Sequence, residues 1–154
     1  MFIISFFIGL GYILFMLMAF SLDPKKKYYN RLFERKTYIF HLALGCMLSI
    51  LGFYRIKYIN FQEVGYFMPL LFLLFFRLFD WVVLKMQGRH ILVVTKGDRV
   101  PSDYKWWTDG LFTLLSMITP ILVSSLILMK LKQNPGILGG PYKDAVKIDL
   151  ITNQ

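Results

Sequence analysis

Little in this sequence is suited to reactive chemistry. It holds one cysteine, Cys46, and two histidines, His41 and His90, so no disulfide framework and no cysteine-based metal site can form within one chain. Acidic residues are scarce as well, nine against eighteen Lys and Arg. There is no phosphate-cradling glycine loop, no HExxH pair, and no Ser or Cys set beside a plausible base. A catalytic constellation would have to be drawn from Asp80, His41, Asp98 and Asp103, whose spacing recommends no reaction. The expectation is a protein that is not an enzyme and needs no cofactor or metal. Internal repeats are lacking too, and the two halves differ in charge and in small residues, which argues against an inverted-repeat transporter.

Long polar stretches are also missing, and what fills their place is apolar. Of the 154 residues 56% are hydrophobic and 18% aromatic, with a mean hydropathy of +0.54. An average soluble domain is under half apolar. Here the apolar residues form four blocks, Phe2 to Phe20, Tyr38 to Phe53, Val64 to Leu84 and Gly110 to Met129. As helices they would extend roughly 28, 24, 31 and 30 Å, against a hydrocarbon core of about 30 Å. The second is short, but Lys36 on one side and Tyr54 to Lys57 on the other can reach the headgroups. The segments between, Ser21 to Thr37, Tyr54 to Glu63, Lys85 to Asp109 and the tail from Lys130, are too short to build a soluble domain around such helices. The fold class predicted is an all-α membrane protein: a four-helix transmembrane bundle over residues 1–131, with an extended tail over 132–154.

The first block has no positive residue before it and no small-residue cleavage pattern after it; the basic cluster Lys25, Lys26, Lys27 follows it. That order is expected of an uncleaved anchor whose N-terminus is translocated. Ser21 to Thr37 carries six Lys or Arg and Lys85 to Asp109 carries five, whereas the 54–63 turn carries two and the tail four. Because cytoplasmic loops retain Lys and Arg, both termini are expected outside and the two basic connections inside, in a bacterial inner membrane. The net charge of +9 lies beside the spans without any recognition motif, so anionic lipid headgroups are the expected partner rather than nucleic acid.

Lipid tails are as apolar as leucine, so membrane helices associate through small residues and polar contacts. In the second block His41, Gly45, Ser49 and Gly52 recur at helical spacing; in the fourth, Thr113, Ser116, Pro120 and Ser124 do, and Thr119 or Ser116 can rearrange the backbone bonds around the proline; in the first, Ser5 and Gly9 make a shorter version. These stripes are read as packing seams, within the bundle or between copies, in preference to a substrate path.

Arg77 and Asp80 interrupt the third block three residues apart and can pair. With the topology above, His41, Arg77, Asp80, Thr113 and Ser116 fall at one depth, so a single intramembrane polar cluster is expected near the cytoplasmic side. It has two readings. In the favoured one the charges neutralise each other and nothing passes; in the other, Asp80, Arg77 and His41 form a small ion or proton conductor.

The third connection reads as a small hairpin: a β-rich run, His90 to Thr95, a turn at Lys96-Gly97-Asp98, and a short extended piece, Arg99 to Pro101. Tyr104, Trp106 and Trp107 mark a membrane interface, and Thr108 or Asp109 is placed to cap the fourth helix. After Gln133-Asn134-Pro135-Gly136 stops that helix, Val146, Ile148 and Leu150 alternate with Lys147 and Asp149, a strand pattern that adding to a partner's sheet edge would satisfy. Four short spans bury little surface, so the chain is expected to work beside other membrane chains or copies of itself, as a scaffold, accessory or immunity-type subunit.

Overall fold

The computed structural model describes residues 2–18, 27–59, 62–95 and 97–134. Four α-helices account for most of them: α1, Phe2–Met18; α2, Arg35–Tyr58; α3, Met68–Gln87; and α4, Leu111–Gln133. Short 3₁₀ turns at Tyr28–Phe33 and Glu63–Phe67 lead into α2 and α3, and a π-type turn at Trp106–Gly110 leads into α4. Three helical stretches are long and apolar enough to cross a membrane: Arg35–Tyr58, Glu63–Gln87 and Trp106–Gln133. The first apolar helix is shorter, with 17 residues and a length of about 26 Å.

The second helix has 24 residues, whereas its apolar block has only 16. Arg35 and Lys36 at its start and Arg55 and Lys57 at its end remain helical, because such side chains carry their charge toward water while their backbone stays bonded. At the other boundaries the local chemistry is plain. Pro69 sits in the first turn of α3, where its missing N–H costs nothing. Gly88, in the left-handed conformation at φ 68°, ends the helix as its N–H donates to the Leu84 carbonyl.

The central element is α3, which packs against each of the other three helices. Its buried face is Met68, Pro69, Phe72, Leu73, Phe76, Asp80 and Val83, joined from α1 by Ile13, Met16 and Leu17. The outer faces carry exposed Phe40, Met47, Ile50 and Phe53 of α2 and Leu122 and Leu126 of α4, an apolar surface fit for lipid. Cys46 lies on the same exposed side of α2.

Two ends of the bundle can be told apart. The far end holds Ile59, residues 62–67 and the start of α1. There Gly9 crosses Gly65 so closely that a Cβ on Gly9 would lie 2.5 Å from the Gly65 carbonyl oxygen, and one on Gly65 would strike the backbone of Ser5 and Phe6. A Cβ on Gly52 would come within 2.7 Å of the Tyr66 Cβ, and one on Gly45 within 3.2 Å of the Leu70 Cα. Beside this seam Glu63, fully buried, pairs with Arg55 at 3.3 Å. The basic end holds residues 27–34, 88–95 and 97–105.

No strand is present among the described residues, and the expected hairpin in the third connection does not form. The turn exists, closed by the Asp98 N–H on the Thr95 carbonyl at 3.0 Å and by Gly97 at φ 95°. The run before it has no regular secondary structure and no strand partner among the described residues, because side-chain acceptors take its N–H groups instead. The alternating Val146, Ile148 and Leu150 lie outside the described residues.

Candidate functional site

Polar contacts among the described residues collect at the basic end, around one segment without regular secondary structure, residues 91–95, which we call the strap. Ile91, Leu92 and Val93 are buried, so their backbone N–H groups need acceptors within the protein. Each finds one on a different element. The Ile91 N–H donates to Asp80 Oδ1 of α3 at 3.0 Å, Leu92 to Asp109 Oδ1 of the turn before α4 at 3.1 Å, and Val93 to the Tyr29 hydroxyl of the first connection at 3.0 Å. The Thr95 N–H donates to Asp98, which also accepts from the Thr95 hydroxyl at 2.9 Å.

Asp109 is the most heavily used acceptor. It is fully buried and takes both arms of Arg89, at 3.0 and 2.6 Å, in addition to the N–H groups of Leu92 and Lys105, the latter at 2.9 Å. Arg89 also donates to the carbonyls of His90 and Asp103. This bidentate geometry is the strong form of the carboxylate–guanidinium pair, and it holds the Arg89 pKa above its ordinary value. Asp109 therefore anchors the strap rather than capping α4, which has no side-chain cap. Thr108 is bound instead by Gln87 from the end of α3.

Lys27 closes the tip. Its ammonium group is buried and donates to Asp98 at 2.5 Å and to the Thr95 hydroxyl at 2.6 Å. Burial raises the Asp98 pKa, but the bonds from Lys27 and Thr95 outweigh it, and the carboxyl titrates below its usual range. Burial pushes the Tyr29 hydroxyl up to about 12, against the opposing effect of the bond from Val93, so the phenol stays protonated.

The residues expected to form one polar cluster are distributed over separate contacts. Asp80 is buried and receives His90 Nδ1 at 3.1 and 3.0 Å on its two oxygens, besides Ile91; Arg77 stands at 3.9 Å, the outer limit of an ion pair. The His90 ring is stacked on Phe33 with centroids 4.1 Å apart. His41 belongs elsewhere: its Nδ1 meets the Tyr12 hydroxyl at 3.2 Å and its Nε2 the Tyr28 hydroxyl at 3.0 Å, which suits a neutral imidazole that donates on one side and accepts on the other. No hydrogen bond among the described residues joins His41 to Asp80. Ser116 donates back to the Thr113 carbonyl at 2.7 Å, and the Thr113 hydroxyl, though buried, has no hydrogen-bond partner among the described residues.

Of the residues assigned to packing stripes, Ser5, Gly9, Gly45, Gly52, Pro120 and Ser124 are buried and Ser49 is half-buried. Ser49 and Thr119 donate to the carbonyls one turn back, Gly45 and Leu115, both in the manner that relaxes a membrane helix.

Tyr29, Lys27, Arg89 and His90 were not among the sequence-derived site candidates, and Asp109 was singled out only as a cap for the fourth helix. Their bonds join residues 10 to 71 positions apart, and no local periodicity marks them.

No group of three or more His, Cys, Asp or Glu side chains that could hold a metal ion occurs among the described residues. The site is an arrangement for holding backbone: four side-chain acceptors, Asp80, Asp109, Tyr29 and Asp98, fix one irregular segment across the end of the helices. No family model, curated protein or solved structure matches the chain.

Proposed function

We propose that this chain is a non-catalytic integral membrane subunit, a scaffold or accessory protein whose helices hold the strap and its flanks at the cytoplasmic face for another membrane chain or a second copy. In this reading all four apolar helices span, with both termini outside and the basic end inside. The observation that carries it is the use made of the buried acids. Asp80 and Asp109 spend their oxygens on the N–H groups of Ile91, Leu92 and Lys105 and on His90 and Arg89, which fixes a loop and leaves little capacity to pass a proton along. Fixing matters because an ordered loop loses less entropy when a partner binds. Beside the strap, exposed Val100, Trp106 and Trp107 offer the apolar and aromatic contacts that interfaces favour.

A photo-cross-linking residue placed at Val100 or Trp107 tests it in native membranes. The expected outcome is one discrete cross-linked species, weakened by Tyr29→Phe, which removes the acceptor of the Val93 N–H without altering the span. Cross-links to lipid alone from both positions would exclude the reading. The rival conductor is tested separately: proteoliposome flux that vanishes on Asp80→Asn while the chain stays assembled would replace the scaffold by an ion path.

A further inference from the structure

We propose that the stripe of α3 formed by Arg77, Trp81 and Lys85, together with Tyr38 of α2, binds the phosphate headgroup of an anionic phospholipid. These three α3 residues are four apart and so lie one above another on one helix face. Arg77 is half-exposed and its guanidinium stands 5.5 Å from the centroid of the Tyr38 ring. Among the described residues it makes no hydrogen bond, so five N–H donors lack acceptors. Its one charge partner there, Asp80, is 3.9 Å away with both oxygens already accepting from His90 and one from Ile91. The Tyr38 hydroxyl likewise makes no hydrogen bond among the described residues.

Two turns along the stripe, about 12 Å toward the basic end, Lys85 holds its ammonium 4.0 Å over the Trp81 ring, with no carboxylate in ion-pair range among the described residues. An exposed Trp under a Lys is the pairing expected where a helix leaves the hydrocarbon. Arg77 therefore lies below the headgroup level with donors for which no described residue supplies an acceptor, and leaving them unmet there is costly.

The chemistry selects the occupant. A phosphate accepts the two-armed guanidinium and a phenol donor together. Arg77 has beside it only the Asp80 carboxylate, itself committed elsewhere, and Lys85 has none in ion-pair range among the described residues, so charge balance calls for a net negative lipid rather than a zwitterionic one. Exposed Leu74, about one turn before Arg77, lies on the side of α3 that leads toward the far end, where acyl chains would run. The proposal depends on the chain spanning the bilayer and is independent of what the strap binds.

The test uses the full chain, reconstituted in phosphatidylcholine with and without phosphatidylglycerol, then washed and measured by native mass spectrometry for retained lipid. Phosphatidylglycerol is expected to be retained about tenfold better than phosphatidylcholine, and Arg77→Leu to remove that preference. Lys85→Ala should weaken retention by roughly threefold, and Lys132→Ala, at the opposite end of the bundle, should leave it unchanged. Equal retention of the two lipids by the unaltered chain would overturn the proposal, as would undiminished preference in Arg77→Leu. Should Arg77→Leu fail to insert, Arg77→Lys and Tyr38→Phe decide: each is expected to lower retention by about threefold, and wild-type retention in both would sink the site.

Discussion

The helices meet at the far end by omitting side chains and at the basic end by adding hydrogen bonds. At the first, Gly9 and Gly65 let two backbones touch, and almost nothing polar intervenes except the Arg55–Glu63 pair. At the second, the strap is held by Asp80, Asp109, Tyr29 and Asp98, and four of its N–H groups are matched to side-chain acceptors. The difference follows from the backbone at each end. Where helices and a 3₁₀ turn already bond their own amides, as in α1 and Glu63–Phe67, elements gain mainly from dispersion at close range, so small residues are useful. Where the backbone has no regular structure, as at 91–95, it must be satisfied atom by atom.

If that division is right, the two ends should fail in different ways. The largest effect is expected from Asp109→Ala, which strands the half-buried Arg89 guanidinium and leaves the Leu92 and Lys105 N–H groups unpaired, at a cost of about 3–5 kcal/mol. Unfolding in a detergent titration reads this, together with faster amide exchange at Leu92. Gly65→Ala should cost about 2–3 kcal/mol by forcing α1 away from the turn at 63–67. Its signature is altered accessibility near Ser5 with amide protection at 91–93 intact; loss of both together would dissolve the distinction between the ends. Tyr29→Phe comes next, at roughly 1–2 kcal/mol for one buried N–H left without an acceptor, and its exchange signature should centre on Val93.

The smallest effect expected is that of acid. Asp98 has a folded pKa below its ordinary 3.8, so its contribution is complete above that value and is lost as pH falls through the lower folded one. Amide protection at Thr95 should be level from neutral pH to about 4 and drop only beneath it. The Gly9–Gly65 crossing contains no ionising group and should show no such step. A fall in Thr95 protection already at pH 6 would mean that Asp98 is not held by Lys27 as described.

The membrane-spanning character was legible because it depends on block length and composition, which are properties of contiguous residues. The ends of α2 were not, since Arg35, Lys36, Arg55 and Lys57 are polar by any scale and yet continue a helix whose bonds are purely local. The small-residue stripes could be read from spacing alone, but Gly65, the tightest glycine, lay in a 3₁₀ turn just inside the third block, where no helical repeat points to it. The strap was misjudged as half of a hairpin because Ile91, Leu92, Val93 and Val94 have the composition of a strand. Composition cannot tell whether an extended segment's N–H groups will face another strand or a set of carboxylates brought from residues 80 and 109. His90 illustrates the same limit: its partner Asp80 was singled out, but the bond depends on where Gly88 turns the chain.

Tyr28 and Tyr29 are neighbours in sequence whose hydroxyls go to different places, one to His41 on α2 and the other to the strap. The stretch from 28 to 33 is thus a two-sided clasp and not merely the tether between the first two helices. Exchanging it for a flexible linker of equal length would preserve the connectivity while unfastening α2 from the loop that precedes α4. Engineering of this chain, by tag insertion or by splitting it into co-expressed halves, should therefore spare those six residues.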